Sequence, residues 1–297
     1  MYGTDDLKPT VLVTEDQVEC PVKGCSRRVE RQRGYFSAKP QFCCPEHSIY
    51  ISPSTFEYGR LEDALLYPDA ALLKLLDDMI EFGCKAESRM TRDNSEDAVT
   101  ANVFWALDKS NLTAPILSRL LNVPPVSPKM VFWSFDDDEG DHGSTWIPLA
   151  KARVEFAESG QGTEPDLILL TDQTLIFVEA KVTAPNKVPP SGKIEKQLRS
   201  PKRYAKGGDD WFQHIFTDGT SFEQLVRDQK YELMRNWILG SWIAKFLGRS
   251  FVLVNLVREK AEQDIEQSFG RYLNQQATAA TASSGHDSWT RWQQGHP

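Results

Sequence analysis

The sequence predicts an α/β domain preceded by a small metal-binding module and followed by a low-complexity tail. Three observations carry this. Short β-favouring runs at 130–135, 152–157, 166–170, 175–182 and 251–257 cluster around one long helical stretch, residues 222–247. Segments with an apolar period near 3.6 precede them, between Leu61 and Leu121. Four of the five cysteines fall between Cys20 and Cys44, with His47 close behind.

Residues 1–60 form the module: CPVKGC, a basic stretch carrying Gly34-Tyr35-Phe36, then FCCPEH and SPSTFEY. Two ligand pairs, Cys20-x4-Cys25 and Cys44-x2-His47, flank that basic stretch, and paired ligands on tight turns are how a tetrahedral Zn²⁺ is closed. A segment with so few apolar residues needs such a staple. Cys43, adjacent to Cys44, could substitute for it, and the pattern resembles a zinc ribbon with a wider first spacing. Four protein ligands leave no open position, so the zinc is structural. Cys84 has no partner in the pattern and is expected to be a buried apolar residue.

The α/β domain is expected over 61–273. Leu65, Leu66, Leu72, Leu73, Leu75, Leu76 and Ile80 give one or two helices interrupted at Pro68. Asn94 or Ser95 can cap the next helix, with Glu96 and Asp97 complementing its dipole. Residues 112–121 form another helix, stopped by Pro124-Pro125, and the acidic segment DDDEGDHG is a loop. In the stretch 222–247 the apolar stripe runs through Phe222, Leu225, Val226, Leu233 and Trp237. Residues 274–297 are the tail; they can bury little, although Trp289 and Trp292 could anchor it.

Net charge is −8, which by itself argues against a nucleic-acid partner. Its distribution argues the other way. From Lys181 to Lys206 eight basic residues face only Glu195, and Lys187, Lys193, Lys196, Arg199, Lys202 and Arg203 are the candidate phosphate contacts. No apolar run reaches the roughly 18 residues that span a bilayer, and the MYGTDDLKPT start lacks the order of a secretion signal. These features predict a soluble cytoplasmic protein with no membrane partner.

The stretch PDLILLTDQTLIFVEAK, residues 165–181, is an apolar hairpin with acids at its open end. If Asp172-Gln173 form the turn, Asp166 falls opposite Glu179; a four-residue loop, 171–174, gives the same register. Like charges so opposed repel, and Lys181 shares their face. A divalent cation, Mg²⁺ or Mn²⁺, held by Asp166 and Glu179 would relieve the repulsion and activate water, with Lys181 assisting. The chemistry implied is phosphodiester hydrolysis.

Pro165-Asp166, a hairpin, then Glu179-Ala180-Lys181 resembles the active-site signature of the PD-(D/E)XK nuclease superfamily. The resemblance covers roughly residues 94–257. It implies a restriction-endonuclease-like mixed β-sheet flanked by helices and a Mg²⁺- or Mn²⁺-dependent nuclease acting on nucleic acid, with DNA the expected substrate. It also implies a metal-site Glu from a preceding core helix, for which Glu96 is the match, and a polar contribution from the helix after the Lys strand. Some members carry Gln-x-x-x-Tyr there; this chain has Gln229-Lys230-Tyr231. The alternative is a catalytically inactive nucleic-acid-binding or scaffold protein that retains the fold. A hydrolase of small phosphoesters is a further alternative, but the sequence has no Gly-rich phosphate loop of the Walker type.

Overall fold

The structure is a computed structural model that describes residues 6–8, 12–67, 69–83, 90–122, 124–136, 144–158, 162–181, 201–258, 265–274, 277–283 and 287–294. Two compact units divide it, residues 1–113 and 114–297.

In the first unit β1 (Gln17–Glu19) pairs antiparallel with β2 (Arg28–Glu30). A second antiparallel sheet is made of β3 (Cys43–Cys44), β4 (Ile49–Ile51) and β5 (Phe56–Tyr58). Their apolar residues, Val18, Val29, Ile49, Ile51 and Phe56, bury around Cys20, Cys25 and Cys44. Two helices follow. Asp69 caps α1 (Ala70–Glu81) by accepting from Leu72 N–H, and Ser95 caps α2 (Glu96–Lys109) by accepting from Ala98 N–H.

The expected boundary after residue 60 is not where the units divide, and the reason is main-chain hydrogen bonding. Tyr58 N–H donates to Thr91 O at 2.8 Å and Asp93 N–H to Phe56 O at 3.1 Å, so residues 91–93 add to β5. The Glu57–Arg92 ion pair, 3.1 Å, lies on the same bridge. Both helices thereby belong with the cysteine module.

The second unit is a mixed α/β domain. Its elements are α3 (Thr113–Leu121), β6 (Lys129–Phe132), β7 (Phe135–Asp136), β8 (Ser144–Thr145), α4 (Ile147–Glu155), β9 (Leu167–Leu170), β10 (Thr174–Lys181), α5 (Pro201–Ile215), α6 (Phe222–Arg227), α7 (Tyr231–Phe246), β11 (Ser250–Arg258), α8 (Ile265–Gly270), β12 (Ala277–Ser283) and β13 (Asp287–Gln294). Six strands form one sheet in the order β12-β13-β11-β10-β9-β6. Within it β10 and β11 run parallel and the other pairs antiparallel. One face, through Val131, Ile168, Leu175, Phe177, Phe251 and Leu253, shares a core with Leu233, Trp237, Ile238 and Ile243 of α7 and Leu149, Ala152 and Phe156 of the α4 segment. No helix among the described residues is long and apolar enough to cross a membrane.

Three expectations are corrected. Residues 152–155 are the end of α4, not a strand: Leu149, Ala152 and Phe156, three and four apart, bury one helical stripe. The stretch 222–247 is two helices. Lys230 N–H donates to Leu225 O at 2.9 Å and Gln229 N–H to Val226 O at 3.0 Å, with Gln229 at φ 59°, a left-handed stop that takes Gln229 off the helical stripe. Residues 277–283 and 287–294 are not a loose tail but two antiparallel strands, the second of which pairs with β11, from Phe251↔Gln294 to Arg258↔Asp287. Ladder hydrogen bonds need backbone rather than apolar side chains, so an Ala/Thr-rich run can supply an edge strand.

Helix α7 approaches the sheet most closely at Gly240, where an added Cβ would lie 2.1 Å from the Phe251 ring. That ring is held edge-on by Phe177 and against Trp237, at 5.3 Å each. Gly240→Ala should therefore destabilise the protein by about 1–3 kcal/mol in denaturant titration, the overpacking cost exceeding the gain in helix propensity. An unchanged midpoint would show the helix free to lift off the sheet.

Candidate active site and metal centre

The hairpin adopts the expected register. Thr171 N–H donates to Thr174 O at 3.0 Å around Asp172-Gln173, and Leu170↔Leu175 through Leu167↔Val178 pair in step. One further step sets Asp166 opposite Glu179. Instead of facing Glu179 across empty space, Asp166 Oδ2 accepts from Ala180 N–H at 2.7 Å and so ties the strand end to its neighbour.

Glu179 is only 7 % exposed. Its Oε1 lies 2.6 Å from Lys181 Nζ, and its Oε2 accepts from Asn236 Nδ2 at 2.9 Å. Lys181 Nζ also lies 3.5 Å from Glu232 Oε2. Asn236 and Glu232 stand four residues apart on one side of α7, whose N-terminal half thereby contributes two polar groups at the C-terminal end of β10. Charge compensation, expected of a divalent cation, is supplied here by Lys181. Burial pushes the Glu179 carboxyl above its usual range, opposed by Lys181 and reinforced by Glu232. Burial alone would lower Lys181, but Glu179 and then Glu232 outweigh it and hold the ammonium charged above its usual range.

A second polar network braces the chain just ahead of Pro165-Asp166. Thr163 donates to Glu158 through N–H (2.6 Å) and Oγ1–H (2.5 Å), Tyr204 Oη–H donates to the same carboxylate, and Arg235 Nε donates to Thr163 Oγ1 at 2.9 Å. Burial would raise Glu158, but Arg235, Thr163 and Tyr204 prevail and keep it below the usual carboxylate range. Arg235 adjoins Asn236 in α7, so one helix fixes both the approach to Asp166 and the partner of Glu179.

Glu96 opens α2, half-buried beside the buried Asp97; it belongs to the first unit, whereas Asp166, Glu179 and Lys181 belong to the second. Lys187, Lys193, Lys196, Arg199 and Cys84 lie outside the described residues. Lys202 and Arg203 sit in the first turn of α5. In the N-terminal basic stretch, Arg27 pairs with Glu46 at 2.8 Å, Arg28 with Glu15 at 3.0 Å and Arg33 with Asp16. Much of its charge is thus compensated within the module.

The ligand atoms of Cys20, Cys25, Cys44 and His47 all lie within 4.8 Å of one another, a set that could hold a structural metal such as zinc. His47 Nδ1 is 3.6 Å from Cys20 Sγ and 3.5 Å from Cys44 Sγ. Gly24, at φ +78°, closes the turn between Cys20 and Cys25, and Lys8 Nζ donates to both of those cysteine carbonyls at 2.8 and 2.7 Å. Strand alternation decides between Cys43 and Cys44: Cys44 points into the cluster, and Cys43 stands across from Tyr50, outside the ligand set. Burial pushes the Cys20 thiol up to about 12. Comparison of the chain with protein-family models, curated proteins and solved structures gave no match.

Metal analysis of protein purified without chelators should find about one Zn²⁺ per chain. Cys25→Ser and His47→Ala should each lose it and loosen the first unit's core, because three of the four ligands are core residues. Because thiols must deprotonate to bind, loading should release protons and weaken on acidification. Metal-free parent protein with unchanged protease resistance of residues 12–58 would remove the metal centre.

Proposed function

We propose that the protein is a metal-dependent nuclease of restriction-endonuclease-like fold that hydrolyses phosphodiester bonds, with DNA the expected substrate. The observation that carries this is Asp166, one step beyond the last ladder pair Leu167↔Val178 and bound to Ala180 N–H, beside buried Glu179 with Lys181 at 2.6 Å. The donors are carboxylate oxygens, which suit a hard cation, and Lys181 already marks Glu179 as a position that takes positive charge. Asp166 and Glu179 would hold Mg²⁺ or Mn²⁺, which when bound supplies Lewis acidity and a more acidic water.

The chain's own residues do the rest. Asn236 fixes the orientation of Glu179, and Glu232 holds Lys181 beside Glu179. Lys181, kept cationic, can then orient water and balance charge developing on a phosphoryl oxygen. Lys202 and Arg203, with the basic residues that precede them, supply contacts to the substrate backbone. Zinc at Cys20, Cys25, Cys44 and His47 is structural.

The test is incubation with plasmid, linear and single-stranded DNA and with RNA, in Mg²⁺, Mn²⁺ or EDTA. Cleavage should require the divalent cation, and Asp166→Asn or Glu179→Gln should lower it at least about 100-fold. Lys181→Ala should lose turnover yet keep a Mn²⁺-dependent rise in thermal midpoint. Absence of cleavage on every substrate with either cation would leave a non-catalytic binding protein.

The pH profile is a separate test. Glu179 has a raised pKa and must lose its proton before it can hold a cation, so cation and proton compete for it, and the acid limb of activity should lie higher at sub-saturating cation and move to lower pH as the cation is raised. Asn236→Leu removes a hydrogen bond that favours the carboxylate and should move that limb higher still. An acid limb that stays put as the cation concentration changes would mean that a different group controls activity.

A further inference from the structure

Asn255 lies on β11 in parallel register with Glu179, between the pairs Val254↔Val178 and Leu256↔Ala180. Paired residues of neighbouring strands project from the same face, so its carboxamide stands beside the Glu179 carboxylate, on the face whose Phe251 and Leu253 pack against α7. Asn255 is 0 % exposed. Neither Oδ1 nor Nδ2 has a hydrogen-bond partner among the described residues.

A buried amide without partners is costly, and an apolar side chain would serve the core better, as Leu253 does two residues earlier. The amide's position is the informative part. Side chains of Lys181 and Glu232, 13 % and 43 % exposed, form the rim of the cluster, whereas Glu179 and Asn255 lie deeper. A group that reaches Asn255 is therefore small, and an amide offers it both a donor and an acceptor.

We propose that Asn255 is a further ligand-binding residue of the Asp166–Glu179–Lys181 site, its carboxamide hydrogen-bonding an oxygen of the species bound there. That oxygen is either a water carried by a divalent cation or a non-bridging phosphate oxygen. For catalysis the inference rests on the nuclease reading; for binding it stands on the unpartnered amide.

Asn255→Leu and Asn255→Thr should be compared with the parent in thermal melts without ligand, with Mn²⁺ and with inorganic phosphate, and in the cleavage assay. The leucine variant should fold and melt close to the parent without ligand, its larger volume offsetting the gain from removing an unpaired amide. It should lose most of the parent's ligand-induced shift and at least about tenfold in cleavage. The threonine variant, with a hydroxyl in place of the amide, should recover part of both. Loss of the Mn²⁺ shift alone assigns the cation's water; loss of the phosphate shift alone assigns the phosphate oxygen.

Leucine and threonine variants that are both markedly less stable than the parent without ligand, the threonine matching the amide in volume, would show the amide to be a structural hydrogen-bonding group and overturn the inference. So would a leucine variant that binds and cleaves as the parent does, or a parent that neither cleaves nor responds to either probe. A parent that shows a ligand shift without cleavage, with that shift lost in Asn255→Leu, ends the nuclease reading and upholds Asn255 as a ligand residue.

Discussion

A carboxylate placed deep in a sheet is tolerated only where something close by carries the opposite charge and its remaining lone pairs find donors. Glu179 meets both conditions, with Lys181 on one oxygen and Asn236 on the other. The arrangement depends on β10, seven of whose eight residues are buried, and on α7 reaching across it. Charge and core are therefore parts of one construction. The helix that fills the core with Leu233, Trp237 and Ile238 also delivers Glu232, Arg235 and Asn236 to the charged end of the strand.

That dual role explains several local features. The left-handed stop at Gln229 ends one helix so that the next can start at Tyr231 and run along β10 and β11. Gly240 lets its middle settle onto Phe251. Arg235 reaches Glu158 and Thr163, so the segment leading to Asp166 is fixed from the same helix as the partner of Glu179. A small rotation of α7 would disturb all of these contacts together.

The hairpin register and the metal-ligand set were legible in the sequence because both follow from short-range rules. A two-residue turn fixes strand pairing, and ligands three to five residues apart announce tight turns. Asn236, Glu232 and Asn255 were not legible. Asn236 and Glu232 reach Glu179 and Lys181 from a helix, and Asn255 stands in register with Glu179 on a strand, all more than fifty residues away, and polar residues within apolar runs carry no address in a single sequence. The faint signal was the i, i+4 pair Glu232 and Asn236 within a largely apolar helix. Residues 152–157 misled because Ala-Arg-Val-Glu-Phe-Ala alternates like a strand, and its helical stripe shows only once Leu149 is included. The closing pair of strands was missed because composition measures side-chain burial, and an edge strand is recruited through its backbone.

The placement of those two strands has a consequence for handling the protein. Strand β11 is interior to the sheet only because residues 287–294 fold back along it. In a chain shortened before Ala277, the nine-residue strand with Val252, Leu253 and Val254 would expose an unpaired row of amides and carbonyls. Such a flat, apolar border recruits strands from other molecules. Truncations meant to tidy this Ala/Thr-rich end would then yield self-association and poor solubility, and the defect would arise at the border of the sheet rather than in the cluster around Glu179.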